Sequence, residues 1–164
     1  MELPINKEPF ILTDNCRNTR TIFDKLKTYA RTEMHLSNDA PQGKELVVFS
    51  STDIGVRRRQ LGKWLHDLVN NKGIDRKHTI VPGGHSIGRK CIGTNPRIVN
   101  FHITEEMEDG PNVIHYHSYM KLKGCEADAV ILLDVDRNDV RWAEPMTLYT
   151  TTSRAKHLLY ILYC

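Results

Sequence analysis

The run Ala129-Val130-Ile131-Leu132-Leu133 constrains the fold more than any other stretch of the chain. It is apolar without a break and contains β-branched residues. A strand with one wet face alternates apolar and polar side chains; a strand covered on both faces does not. The run therefore predicts a central strand of a parallel sheet, with helices packed above and below it.

The remaining pattern agrees with that frame. Ile22, Phe23, Leu26 and Ala30 share one helical face, with Asn18 or Thr19 as a cap. Residues 37–43, with Pro41, read as a loop. Leu46-Val47-Val48-Phe49 is a strand candidate. Leu61, Trp64, Leu65 and Leu68 fall at i, i+3, i+4 and i+7, the signature of an amphipathic helix begun at Ser51, Thr52 or Asp53. Thr79-Ile80-Val81 reads as a short strand stopped by Pro82, and residues 98–103 as one further strand. Another strand is expected over 113–119, a helix over 145–155 and a last strand over 158–163. Residues 85–96 fit no pattern. Alternation of strands and helices predicts a doubly wound α/β domain, and 164 residues suit a single one.

Composition excludes several classes. Hydrophobic residues make up 40% and charged residues 26%, which is ordinary for a folded domain and not for a disordered one. No apolar run approaches the roughly 20 residues that span a bilayer, and residues 1–10 do not read as a secretion signal, so no membrane is expected and a cytoplasmic location is. Cys16, Cys91, Cys125 and Cys164 form no CxxC pair, so free thiols are expected. His115 and His117 share one strand face, but no cysteine or carboxylate lies near in sequence to complete a metal set, and no metal site is expected. Charge is segregated: residues 54–90 hold nine Lys and Arg against two acids, whereas residues 101–145 hold ten acids against four bases. Such a basic stretch suits either a phosphate-facing surface or a solvated helix face.

Three short segments carry chemistry in a fixed order. The first is Leu12 to Asn18, with Asn15, Cys16 and Arg17. The second is Ser118 to Asp128, with Met120, Lys123, Gly124 and Glu126. The third is Leu148 to Lys156, with Arg154. Together they resemble motifs IV, V and VI of superfamily 1 helicases of the UvrD type, over most of the chain. The resemblance implies a RecA-like three-layer sandwich with a mostly parallel sheet. It also implies that the chain is the second motor domain of a longer protein.

What the resemblance implies for the residues has a physical basis. Phosphoryl transfer spreads negative charge over oxygens, and arginines from a neighbouring domain stabilise it. Arg17 and Arg154 are the implied γ-phosphate contacts and catalytic residues, placed at the rim of the sheet. Asn15, Cys16, Gly124 and Glu126 complete the implied nucleotide site, with Glu126 on the ribose hydroxyls. Ser118, Met120 and Lys123 are the implied nucleic-acid contacts. Cys16 stands where the family has a tyrosine that stacks on adenine, Met120 where it has histidine, and Cys125 where it has leucine. ATP and Mg2+ are the implied cofactors, held mainly by the other domain. The implied partners are that N-terminal RecA-like domain and a single-stranded nucleic acid, DNA in preference to RNA.

No phosphate loop is present. Gly43-Lys44 and Gly62-Lys63 are followed by Glu45 and Trp64, and Asn38 and Arg57 stand where the first glycine of GxxxxGK[ST] belongs. Asp134, at the end of the apolar run, is followed by Val135 rather than glutamate, although Asp134 and Asp136 have the chemistry to hold Mg2+. The chain alone is therefore expected to be inactive. Two alternatives stay open: a diverged, non-catalytic RecA-like module binding nucleic acid or protein, and a nucleotidyl transferase using Lys121 or Lys123.

Overall fold

In the computed structural model, residues 14–84, 91–122 and 124–164 are described. A seven-stranded sheet organises them, in the order β3-β9-β8-β4-β7-β6-β5. Its strands are β3 (Val47–Ser50), β4 (Thr79–Gly83), β5 (Arg97–Ile98), β6 (Phe101–Thr104), β7 (Val113–Ser118), β8 (Ala127–Val135) and β9 (Ala155–Tyr163). All neighbours run parallel except the β5–β6 pair. A separate two-residue ribbon pairs β1 (Asp14–Asn15) with β2 (His35–Leu36).

The unbroken run lies in β8, beside the middle of the sheet, and its residues divide between two cores. Ala129, Ile131 and Leu133 face α2 (Ile54–His66), meeting Leu61, Trp64, Leu65 and Leu68. Val130 and Leu132 face the other way, toward Ile22 and Leu26 of α1 (Arg20–Lys27) and Leu148 of α3 (Pro145–Thr152). The architecture is the three-layer RecA-like α/β arrangement, and the run is apolar throughout because neither face of β8 meets water.

Helix starts follow from capping chemistry. The Asp53 side chain accepts a bond from the backbone N–H of Val56 at 2.8 Å and starts α2. Thr19 holds the cap position of α1 without a side-chain cap bond. Instead, the loop above α1 closes that end: the N–H groups of Arg20 and Thr21 donate to the carbonyls of Pro41 and Gln42. Gly43, at φ 78°, completes this loop.

Several expectations are corrected. Residues 98–103 form two strands, because the chain reverses at Val99 and Asn100 into the β5–β6 hairpin; Val99 has φ 55°, a rare setting for a β-branched residue. The strand from Thr79 continues through Pro82, although β4 lies inside the sheet and proline has no N–H for the ladder. The last helix ends at Thr152, and β9 begins at Ala155. Arg17 lies before α1 rather than in its first turn.

The link from β7 to β8 matters for the site. It spans residues 119–126 and must pass from the carboxyl end of one strand to the amino end of another, with β4 between them. Leu122, in its middle, is fully buried against the core shared with α1 and α3.

Candidate functional site

The segments 14–18, 124–126 and 153–156 meet at the amino ends of β8 and β9. Asn15 builds the first: its side-chain oxygen accepts from the N–H groups of Arg17 and Asn18, both at 3.1 Å, and folds residues 15–18 into a tight turn. Asn18 is buried, and its side-chain amide donates to the carbonyls of Ser153 and Ala155. One asparagine thus fastens the turn carrying Arg17 to the segment carrying Arg154. The N–H of Ala127 donates to the Arg154 carbonyl at 3.0 Å, which joins the third segment to the other two.

The charged groups form an ordered set. Arg17 Nε lies 2.8 Å from Glu126 Oε1, and Lys156 Nζ lies 3.4 Å from Glu126 Oε2. The Arg17–Glu126 pair is partly open, with side chains 46% and 34% exposed. A pair this wet contributes about 0–1 kcal/mol, so Arg17 exchanges its partner for a stronger anion at little cost. Arg154 is half-buried and donates from Nε to the Thr150 carbonyl at 3.2 Å. Among the described residues no carboxylate pairs with it. Three cations against one carboxylate leave a net positive corner suited to an oxyanion.

Gly124 has φ 84°, and a Cβ built there would meet nothing within 4 Å. The glycine is therefore required by its left-handed backbone, not by crowding, and it leaves the approach to Glu126 open. Cys16 is exposed and lines a cavity of about 390 Å³ with His35, Leu36, Ser37 and Asn38. Cys125 is half-buried, with Sγ 3.9 Å from the Lys121 carbonyl.

Ser118 and Met120 lie elsewhere. Ser118 ends β7, at the carboxyl end of the sheet, and Met120 follows in a single 3-10 turn, 77% exposed. They share one end of the sheet with each other and not with Arg17 and Arg154. Lys123 lies outside the described residues, as do Leu12 and Thr13 of the first segment.

The rim is also not the one expected. Open α/β sheets usually bind ligands beyond the carboxyl ends of their strands, whereas Arg17, Glu126 and Arg154 gather at the amino ends. At the carboxyl end of β8 the polar groups bond one another. Asp134, at φ 47° and buried, accepts from Arg57 Nε at 2.8 Å and from the Cys91 N–H at 2.6 Å. Arg57 also donates to the Ser51 carbonyl at 2.7 Å. Asp134 is thus held by a guanidinium rather than free for Mg2+, and Asp136 accepts from the Asn138 N–H in a turn. Burial, reinforced by the Asp134 carboxylate, pushes the Cys91 thiol far above its ordinary range. The basic stretch loses a second member in the same way: Arg58 donates to the carbonyls of Cys91, Ile92, Asn95 and Arg97.

His115 and His117 do share one face of β7, ring centres 6.2 Å apart. Burial, then His115 and Lys121, hold His117 below the usual imidazole range. No group of three metal-ligating side chains forms among the described residues. No described helix is long and apolar enough to cross a membrane. Sequence reasoning missed Asn18 as the fastener and Lys156 as the second cation on Glu126. Both stood inside the recognised segments, but only their tertiary partners give them these roles.

Comparison with known proteins places the fold. The C-terminal domain of a possible DNA helicase from Lactobacillus plantarum WCFS1 superposes with a TM-score of 0.70 at 23% identity, covering 90% of this chain and 86% of that one. At this identity the likeness is one of fold. No family model matches the chain, and no curated protein does.

Proposed function

We propose that this chain is the second RecA-like motor domain of an ATP-dependent helicase or translocase of superfamily 1, related to the UvrD type. The observation that carries the reading is the convergence of Arg17, Glu126 and Arg154 from three distant segments at one corner of the sheet. ATP and Mg2+ would be held mainly by an N-terminal RecA-like domain of the same parent protein, since the sequence has no phosphate loop. Arg154, without a carboxylate partner among the described residues, would reach the γ-phosphate as an arginine finger. Arg17 would leave Glu126 to join it, and Glu126 would then turn to the ribose hydroxyls. The cavity beside Cys16 would receive the base, without the stacking ring that the helicase pattern places there. Ser118, Met120 and Lys123 would contact single-stranded nucleic acid, DNA in preference to RNA, at the other end of the sheet.

The test is ATP turnover. This chain alone, with or without single-stranded DNA, hydrolyses no ATP. In the parent protein, Arg154→Ala lowers DNA-stimulated turnover on the order of 10³-fold or more while ATP binding persists. Robust hydrolysis by the isolated chain, or an unchanged rate in the variant, overturns the reading. An unchanged rate would favour a non-catalytic binding module.

A further inference from the structure

A second polar cleft lies at the same amino end of the sheet, beyond β4, on the side of the β5–β6 hairpin. Its volume is about 360 Å³. Parts of the chain far apart in sequence build it: Asn70 after α2, Arg76 in the turn before β4, Arg97 of β5, Asn100 in the hairpin turn, and Asn112 before β7. No carboxylate lines it. Among the described residues, neither Arg76 nor Arg97 has an ion-pair partner through its side chain, and the three asparagine side chains make no hydrogen bond. The nearby acidic turn is turned to other cations: Asp109 pairs with Lys77 at 3.0 Å, and Glu108 stands 4.0 Å from His102. The wall at the hairpin is Val99, 58% exposed and held at φ 55°. Such a setting costs on the order of 1–3 kcal/mol and tends to mark a working surface. Gly62 of α2 makes room for it, since a Cβ there would lie 2.9 Å from Val99 Cγ2.

We infer that this cleft binds one nucleotide of a single-stranded nucleic acid, with its phosphate between Arg76 and Arg97. Two unpaired guanidiniums suit a phosphate oxygen pair. The amides of Asn70, Asn100 and Asn112 offer both donors and acceptors to a sugar or a base edge. The exposed Val99 gives the base an apolar wall. A recess lined in this way fits a splayed nucleotide, whose base edges are free, better than a duplex, whose base edges are paired. The inference rests on the nucleic-acid reading above but names a different contact, at the opposite end of the sheet from Ser118 and Met120.

The experiment is fluorescence anisotropy of a labelled oligothymidylate of about 12 nucleotides, a length within the usual range of single-strand sites, titrated with this chain at several salt concentrations. Replacing Arg76→Ala and Arg97→Ala together should weaken binding at least about tenfold and flatten the slope of log K against log salt by about 1.4, the value for two lost contacts to a single strand. Circular dichroism should show the same thermal midpoint, because Arg97 serves the fold through its backbone carbonyl and not its side chain. A control pair on the exposed side of α2, Arg59→Ala with Lys63→Ala, should change affinity far less. Inorganic phosphate or duplex DNA, at matched phosphate concentration, should not displace the oligonucleotide. Wild-type affinity in the Arg76/Arg97 variant overturns the inference, as does an equal loss in the control pair or equal competition by phosphate or duplex. None of these outcomes touches the Arg154 test, so the cleft can fail while the motor reading stands.

Discussion

The buried pair Arg57–Asp134 shows how a sequence that looks functional becomes structural. An arginine in a basic stretch and an aspartate at a strand end suggest phosphate and metal. Both are sealed, and each satisfies the other. Removing one partner leaves a charge in an apolar setting, so Arg57→Ala or Asp134→Ala should each lower unfolding free energy by about 3–5 kcal/mol, read from denaturant midpoints. The double replacement should cost less than the sum of the two. Cys91, bonded through its backbone to Asp134, gives a second test. Its folded-state value is raised above the ordinary 9.0, so the neutral thiol favours the fold below that pH. Above about pH 9 the unfolded chain releases the proton and the folded chain does not, and stability falls as pH rises. Cys91→Ala should flatten that decline. Iodoacetamide at pH 8 should label exposed Cys16 and spare Cys91 until the protein unfolds.

At the scale of elements, the sequence was most readable where burial is symmetrical. An apolar run with no alternation has one good explanation, and β8 adopts it. The amphipathic spacing of Leu61, Trp64, Leu65 and Leu68 was equally direct, because one face of α2 meets the sheet. Legibility failed where a tertiary bond overrides a local preference. Val99 disfavours a left-handed turn, and only the space above Gly62 permits it. Asn18 reads as a helix cap, yet its amide serves carbonyls more than 130 positions away. The grouping of Arg17, Glu126 and Arg154 at one corner was legible only as a resemblance; its place at the amino ends of the strands was not. The loop over α1 offers a sharp test at this scale. A Cβ at Gly43 would lie 2.3 Å from Thr19 Oγ1, on a backbone that side chains rarely adopt. Gly43→Ala should therefore destabilise the protein by more than the roughly 1 kcal/mol of an uncrowded left-handed position. The thermal midpoint should recover in part when Thr19→Ala is added.

At the scale of the whole molecule, the charged features sort to the two ends of one sheet. The amino end carries Arg17, Glu126, Arg154 and the cleft of Arg76 and Arg97; the carboxyl end carries Ser118, Met120 and the sealed Arg57–Asp134 pair. Two ends so separated need a physical link if events at one are to matter at the other, and residues 119–126 supply it. A chain extends at most about 3.3–3.6 Å per residue, and a turn takes up part of this length. The segment therefore has little slack. With Leu122 pinned in the core, it behaves as a rein over a fixed peg. A tug on Glu126 is taken up at the peg or delivered to Ser118, and it has no loose loop in which to disappear.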